Sequence, residues 1–172
     1  SMTVAEYYDG WAETAPTKKG PKPRPSTIRV RKFSGDKMRP YIGSIKLKEL
    51  TRFHINKMYQ EMVGKQDEPD GLSNTSIHAV HAWLRRSLSD AVENEILANN
   101  PAINARAPRP NKNEMETLNE SEVQTLLSLD DKWTPLFTTL VGTGLRIGEA
   151  LALRWADIEL DKGEIRVRRT LS

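Results

Sequence analysis

The stretch Gly142-Thr-Gly-Leu-Arg146-Ile-Gly-Glu149-Ala-Leu-Ala-Leu-Arg-Trp155-Ala-Asp157-Ile158 divides the chain into two kinds of sequence. Ahead of it, apolar residues recur at helical spacing. After Trp155 the period falls from 3.6 to 2: Ile158 and Leu160, then Ile165 and Val167, alternate with polar residues around the turn Asp161-Lys-Gly163. A run of helices therefore gives way to a β-hairpin. Within the stretch, Gly142-Thr-Gly144 breaks one helix, and a short one from about Arg146 to Leu153 follows. Arg146 opens that helix, where the macrodipole favours acids over cations. It is flanked by Leu145, Ile147, Leu151 and Leu153, so helix propensity gives no reason for it. Glu149, one turn on, is placed to hold it by an ion pair. Two readings stand: a structural Arg–Glu pair, or an arginine kept for an anionic ligand.

Working back from this stretch, Thr134 and Pro135 open a helix with Leu136, Phe137, Leu140 and Val141 on its apolar side. Before it, Asn119 with Glu122 has capping-box spacing ahead of Val123, Leu126 and Leu127. The segment Pro101 to Asn113 holds three prolines, Arg106, Arg109 and Lys112 and no acid, which predicts an extended basic linker. Residues 2–100 then form one helical domain, 101–116 the linker and 117–172 a second unit. In the first domain Thr3 and Glu6 form another capping box, and Val4, Tyr8 and Trp11 share a face. Pro16 to Pro25 is too proline-rich for a helix. Ser26 is placed to cap a second helix reaching about Met38 and ended by Pro40. Thr51 caps a third, with Ile55, Met58, Tyr59 and Met62 inward and Gly64 as its stop. Ser73 caps the longest, about Asn74 to Glu95, with Ile77, Val80, Leu84, Ala91 and Val92 inward and Arg85 and Arg86 off the stripe. The fold class is mainly α, with helices and a hairpin in the second unit. A two-stranded hairpin is marginal alone, so the second unit is expected to be cut short.

Composition narrows the chemistry. The 172 residues include no Cys, which excludes disulfides, a thiolate zinc site and a cysteine nucleophile. No apolar run approaches the roughly 20 residues of a membrane span, and Ser1 to Asp9 contains no apolar signal core. The glycines at 142, 144 and 148 do not match G-x-G-x-x-G and follow a helix-like segment, against a dinucleotide site. His78 and His81 stand three apart on a helix without a thiol or paired carboxylate, which favours surface or packing roles over a metal. No cofactor or metal is expected. The net charge is only +3, yet nine basic residues between Lys18 and Arg39 face a single acid, Asp36, leaving −5 for the rest. That run is either the footprint of a polyanion or a solvated basic connector.

The whole chain resembles the tyrosine recombinase family, in particular the phage integrases. Thr3-Val-Ala-Glu-Tyr-Tyr-Asp-Gly-Trp11, Ser26-Thr-Ile-Arg29, Tyr41-Ile-Gly-Ser-Ile-Lys-Leu-Lys-Glu-Leu-Thr51 and the Leu72 to Pro101 helix are similar to its core-binding domain, a SAM-like helical bundle. Thr117-Leu-Asn-Glu-Ser-Glu-Val123 resembles the opening of the α+β catalytic domain, and Thr143 to Ile158 its first arginine box. The resemblance implies that Arg146 is a catalytic arginine and Glu149 its acidic support. It further implies that a tyrosine attacks the scissile phosphate to give a 3′-phosphotyrosyl link and a free 5′-hydroxyl. Two arginines stabilise the transition state and a hairpin lysine protonates the leaving oxygen, without metal or nucleotide. Arginine suits the task because its planar fork spans two phosphate oxygens and keeps its charge.

The departures from the family pattern matter equally. No Lys follows Lys162, which sits too early for the hairpin lysine; every His lies at or before His81; and every Tyr (7, 8, 41, 59) lies in the helical domain. The H-x-x-R box and the nucleophile are absent from these residues, so the chain is expected to bind DNA without cutting it. The expected partner is double-stranded, attachment-site-like DNA and no membrane, in the cytoplasm, with the full-length parent a tetramer on DNA and this chain a monomer. Expected phosphate contacts are Lys18, Lys19, Lys22, Arg24, Arg29, Arg31, Lys32, Arg85, Arg86, Arg106, Arg109 and Lys112, with Lys57 as an addition. Two rivals accompany this expectation: a free-standing helical DNA-binding regulator, and a helical interaction module that binds no nucleic acid.

Overall fold

A computed structural model describes residues 2–17, 20–69, 71–111 and 115–171. The chain divides into two compact units, residues 1–113 and 114–172.

The first unit is a four-helix assembly of α1 (Val4–Thr14), α2 (Pro25–Ile42), α3 (Arg52–Gly64) and α4 (Asn74–Glu93). α1 packs on α2 and α4, and α3 packs on the same pair. Local chemistry starts three of the helices. Thr3 accepts the Glu6 amide while Glu6 accepts the Thr3 amide; Thr51 and His54 form the same reciprocal cap; Ser73 accepts the Ser76 amide. The stripes that follow meet in one core, with Val4, Tyr8, Trp11, Met38, Ile42, Ile55, Met58, Tyr59, Ile77, Val80, Leu84 and Leu88 all buried. Burying a side chain of this size stabilises by about 1.5–3 kcal/mol relative to leaving it exposed.

α2 departs from expectation at both ends. It starts at Pro25, with Arg24 as the extended N-cap residue, rather than at a Ser26 cap. It also runs through Pro40 to Ile42. Pro40 stands in the last turn, where the lost amide removes a single helical bond. The burial of Met38 and Ile42 on one face holds the chain helical past it.

The proline-rich stretch after α4 belongs to the first unit. Ala102 is fully buried, and Ala105 and Ala107 pack against the core. Three asparagines tie the stretch down. The Asn56 side chain accepts the Arg106 amide at 2.8 Å, Asn74 donates to Asn111 at 3.2 Å, and Asn100 donates to the Arg85 carbonyl at 2.9 Å. Of these, the Asn56 bond satisfies a backbone amide of the stretch that has no partner within it.

The second unit comprises α5 (Glu120–Leu127), α6 (Thr134–Thr143), α7 (Ile147–Ala150) and an antiparallel hairpin of β1 (Ile158–Glu159) and β2 (Glu164–Ile165). Asn119 and Glu122 cap α5 reciprocally. Thr134 is the first helical residue of α6, not its cap; its hydroxyl instead donates to the Leu129 carbonyl at 2.6 Å. The hairpin pairs Ile158 with Ile165 and is shorter than its alternation suggests, because Leu160–Lys162 turns as a 3-10 segment and leaves Leu160 exposed. Among the described residues of this unit no apolar side chain is buried, and Trp155 is 84% exposed. No helix among the described residues is long and apolar enough to cross a membrane.

Candidate nucleic-acid interface and arginine site

The expected basic contacts separate into classes that the sequence does not distinguish. Lys18, Lys19 and Lys112 lie outside the described residues. Arg31 is a correction: it is 2% exposed and turned inward, not toward a phosphate. Its guanidinium donates to the Ala12 and Ala15 carbonyls at 3.3 and 2.9 Å and lies toward the Pro16 carbonyl at 3.5 Å. It therefore satisfies carbonyls left open at the C-terminal end of α1, where a cation is favoured. The Trp11 ring centroid lies 4.4 Å from the guanidinium carbon and the Trp83 centroid 5.4 Å, so the charge rests in the angle between two tilted indoles whose centroids are 6.3 Å apart. The network continues through the Trp11 indole, which donates to Asp90 at 2.7 Å, and Arg86, which pairs with Asp90 at 3.0 Å. Beside it the Tyr7 hydroxyl, donating to the Ser87 carbonyl, is pushed up to about 12 by burial and then by the Asp90 charge.

Lys32, exposed, pairs with Glu13 at 2.6 Å, and Lys57 with Glu61 at 3.8 Å. Lys22, Arg24, Arg29, Arg85, Arg106 and Arg109 are exposed, and no carboxylate pairs with their side chains among the described residues. Of the expected contacts, these six are left free for an outside anion. The histidines take a packing role on one side only. His81 shares a 2.8 Å hydrogen bond with the Tyr59 hydroxyl, and burial, then His78 and Arg85, lower its pKa. His78 is exposed.

The arginine site is built from local geometry. Gly144 takes a left-handed conformation (φ 66°) that ends α6 and redirects the chain. Arg146 follows as the extended N-cap residue of α7, one position before the helix rather than inside its first turn. The Glu149 carboxylate spans both ends of it: Oε2 accepts the Arg146 amide at 3.0 Å and Oε1 the guanidinium at 3.2 Å. The flanking apolar residues do not enclose the side chain. Ile147 and Leu151 are themselves exposed, and the Arg146 side chain is 87% exposed against 21% for Glu149. The result is a guanidinium steered by a carboxylate at one nitrogen, with its other donors open to solvent.

The Arg146 amide, with the Arg146 side chain helping and partial burial opposing, lowers the Glu149 pKa. A lowered carboxylate stabilises the fold above its ordinary value of 4.5, and that contribution is lost as pH falls through the lowered value. A carboxyl-carbon NMR titration of Glu149 should therefore show a midpoint below 4.5. A midpoint at or above 4.5 means that the clasp does not form.

One residue of this unit is buried among those described: Asp157, which the sequence reading passed over. Its Oδ2 accepts the Arg154 amide at 3.2 Å and a guanidinium nitrogen of Arg169, and its Oδ1 lies 3.7 Å from Arg168 Nε. The signal was present as a carboxylate three residues after Arg154, capping a 3-10 turn, with three arginines downstream at 166, 168 and 169.

Comparison with known proteins matches both units in chain order. Residues 5–107 match the phage integrase SAM-like domain, and residues 109–171 match the phage integrase family. The chain belongs to the phage integrase family. Among relatives, a tyrosine recombinase XerC-like protein of Caldanaerobacter subterraneus is 31% identical over 138 residues, 76% of this chain and 33% of that protein. An integrase of Saccharopolyspora erythraea is 25% identical over 98% of this chain and 38% of its own length. The ICEBs1 integrase of Bacillus subtilis is 35% identical over 104 residues, 58% of this chain and 28% of that protein. This integrase-family chain thus spans about a third of the length of these relatives. Its fold is that of the Tn1549 transposon integrase, solved in complex with a circular intermediate DNA, with a TM-score of 0.73 at 20% identity over 94% of this chain and 51% of that one.

Proposed function

We propose that these residues form the DNA-holding part and the first arginine site of a site-specific tyrosine recombinase. The parent reaction would break and rejoin DNA through a 3′-phosphotyrosyl intermediate. The observation that carries this reading is the Arg146–Glu149 clasp, which presents a guanidinium to solvent at the family's arginine box. A steered planar fork suits the charge that develops on the non-bridging oxygens of a phosphate under attack. The six free cations support sequence-independent contact with duplex backbone. Exposure of the apolar side chains of the second unit supports reading it as the opening portion of a larger catalytic domain.

These residues alone bind and do not cleave, because no tyrosine lies beyond Tyr59 and no histidine beyond His81. The test is incubation of the 172-residue chain with a nicked suicide duplex at low salt. A retarded complex that leaves no covalent adduct after denaturation is expected. A covalent protein–DNA adduct overturns the assignment of roles, and no retarded complex overturns the DNA-holding function.

A further inference from the structure

The residues after β2 return to the arginine box. From Arg166 onward the chain is attached at its start, where Arg166 also pairs with Glu159 of β1 at 2.6 Å, and at two further points. At the first, Asp157 holds it three times: its carbonyl accepts the Arg166 amide at 2.8 Å, and its carboxylate engages Arg168 and Arg169. At the second, the Leu171 amide donates to the Gly148 carbonyl at 2.9 Å. Gly148 lies two residues beyond Arg146, in α7. A Cβ built on it would stand 2.6 Å from the Leu171 carbonyl oxygen and 2.7 Å from the Thr170 hydroxyl, so the strap lies directly on the helix backbone there.

α7 itself is a single turn of four residues, with no buried side chain to orient it. Short helices in water are marginal unless something outside them fixes their backbone. The strap is that outside attachment, and the buried Asp157 carboxylate is what holds the strap. Removing the carboxylate would take away the ion-pair partner of Arg168 and Arg169, and beyond Arg166, which also pairs with Glu159 at 2.6 Å, the strap would keep only the Leu171–Gly148 backbone bond.

We propose that Asp157 is a positioning residue for Arg146: through Arg168, Arg169 and the 166–171 strap it fixes the one-turn helix from which the Arg146–Glu149 clasp projects. The proposal rests on the reading of Arg146 as a phosphate ligand and assigns that site a support outside its own helix. Asp157 touches no substrate; it acts only through the strap.

The test is a double-mutant cycle on duplex DNA affinity, measured by fluorescence anisotropy with the whole chain at about 0.1 M salt. In the wild type, Arg146→Ala should weaken binding by about tenfold, as expected for one lost phosphate contact. In an Asp157→Asn background the same substitution should cost less than about twofold, because Arg146 is no longer held in place. Arg169→Ala cuts the same tether while sparing the Arg154 cap and the Arg166 backbone bond, so it covers the case in which Asp157→Asn unfolds the hairpin. A spectroscopic readout accompanies the cycle: the Arg146 Nε–H resonance, distinct in the wild type, should move toward the position of free arginine in both variants. If Arg146→Ala has no effect even in the wild type, the phosphate reading fails and the proposal with it. If Arg146→Ala costs the same tenfold in both variant backgrounds, the positioning role alone is overturned.

Discussion

Replacing Arg31 by alanine is expected to destabilise the first unit by about 3 kcal/mol, the range for removing a buried charge from its partners. The loss has three sources. The Ala12, Ala15 and Pro16 carbonyls lose their donor, the Trp11 and Trp83 rings lose the cation against their faces, and a void opens beside the Trp11–Asp90 bond. For a unit of this size that loss lowers Tm by roughly 15 °C, readable by circular dichroism. Arg31→Lys keeps the charge but neither the fork nor the stacking plane, and should recover less than half of the loss. A surface arginine would behave oppositely, changing stability by less than about 0.5 kcal/mol while weakening DNA binding directly. An Arg31→Ala protein with unchanged Tm would contradict the buried placement.

The second large effect concerns the free cations near the start of α2. Changing Lys22, Arg24 and Arg29 together to alanine is expected to weaken duplex binding by about 10²–10³-fold at 0.1 M salt and to reduce the salt slope by about three. Stability should stay within about 0.5 kcal/mol of the wild type, because these side chains make no ion pair among the described residues. Unchanged affinity in the triple variant would move the interface away from this end of the molecule.

The contrast between Arg31 and its neighbours shows where sequence reasoning stops. The basic run was plain from composition, and so were the caps at Thr3, Thr51, Ser73 and Asn119. Which arginine turns inward depends on where the C-terminal end of α1 falls against α2, a tertiary fact. A trace of it was legible: Ile28, Arg31, Gly35, Met38 and Ile42 repeat at intervals of three and four, so Arg31 stands on the core stripe. Pro40 signals a stop by its local strain, and the burial of Ile42 beyond it, which the local signal does not contain, keeps the helix going. The segment from 101 to 111 begins as turns at 101–104, and its attachment is not legible in the sequence, since its ties run from Asn56, Asn74 and Asn100, which carry no such signal.

At the arginine box the pairing of Arg146 with Glu149 followed from spacing alone. The exposure of the guanidinium did not, because the flanking leucines and Ile147 suggest enclosure that the second unit does not provide. Asp157 was missed for a similar reason. Its partners Arg168 and Arg169 are more than ten residues away and meet it only once the hairpin closes.

Holding duplex DNA by its backbone phosphates makes binding salt-dependent. The direct measurement is the affinity of the 172-residue chain for a duplex of family attachment-site length, taken from 50 to 300 mM monovalent salt. Measurable binding is expected at 50 mM, with an affinity that falls with a log–log slope of about −4 or steeper, as several released counterions require. Absence of binding at 50 mM, or an affinity indifferent to salt, would contradict it.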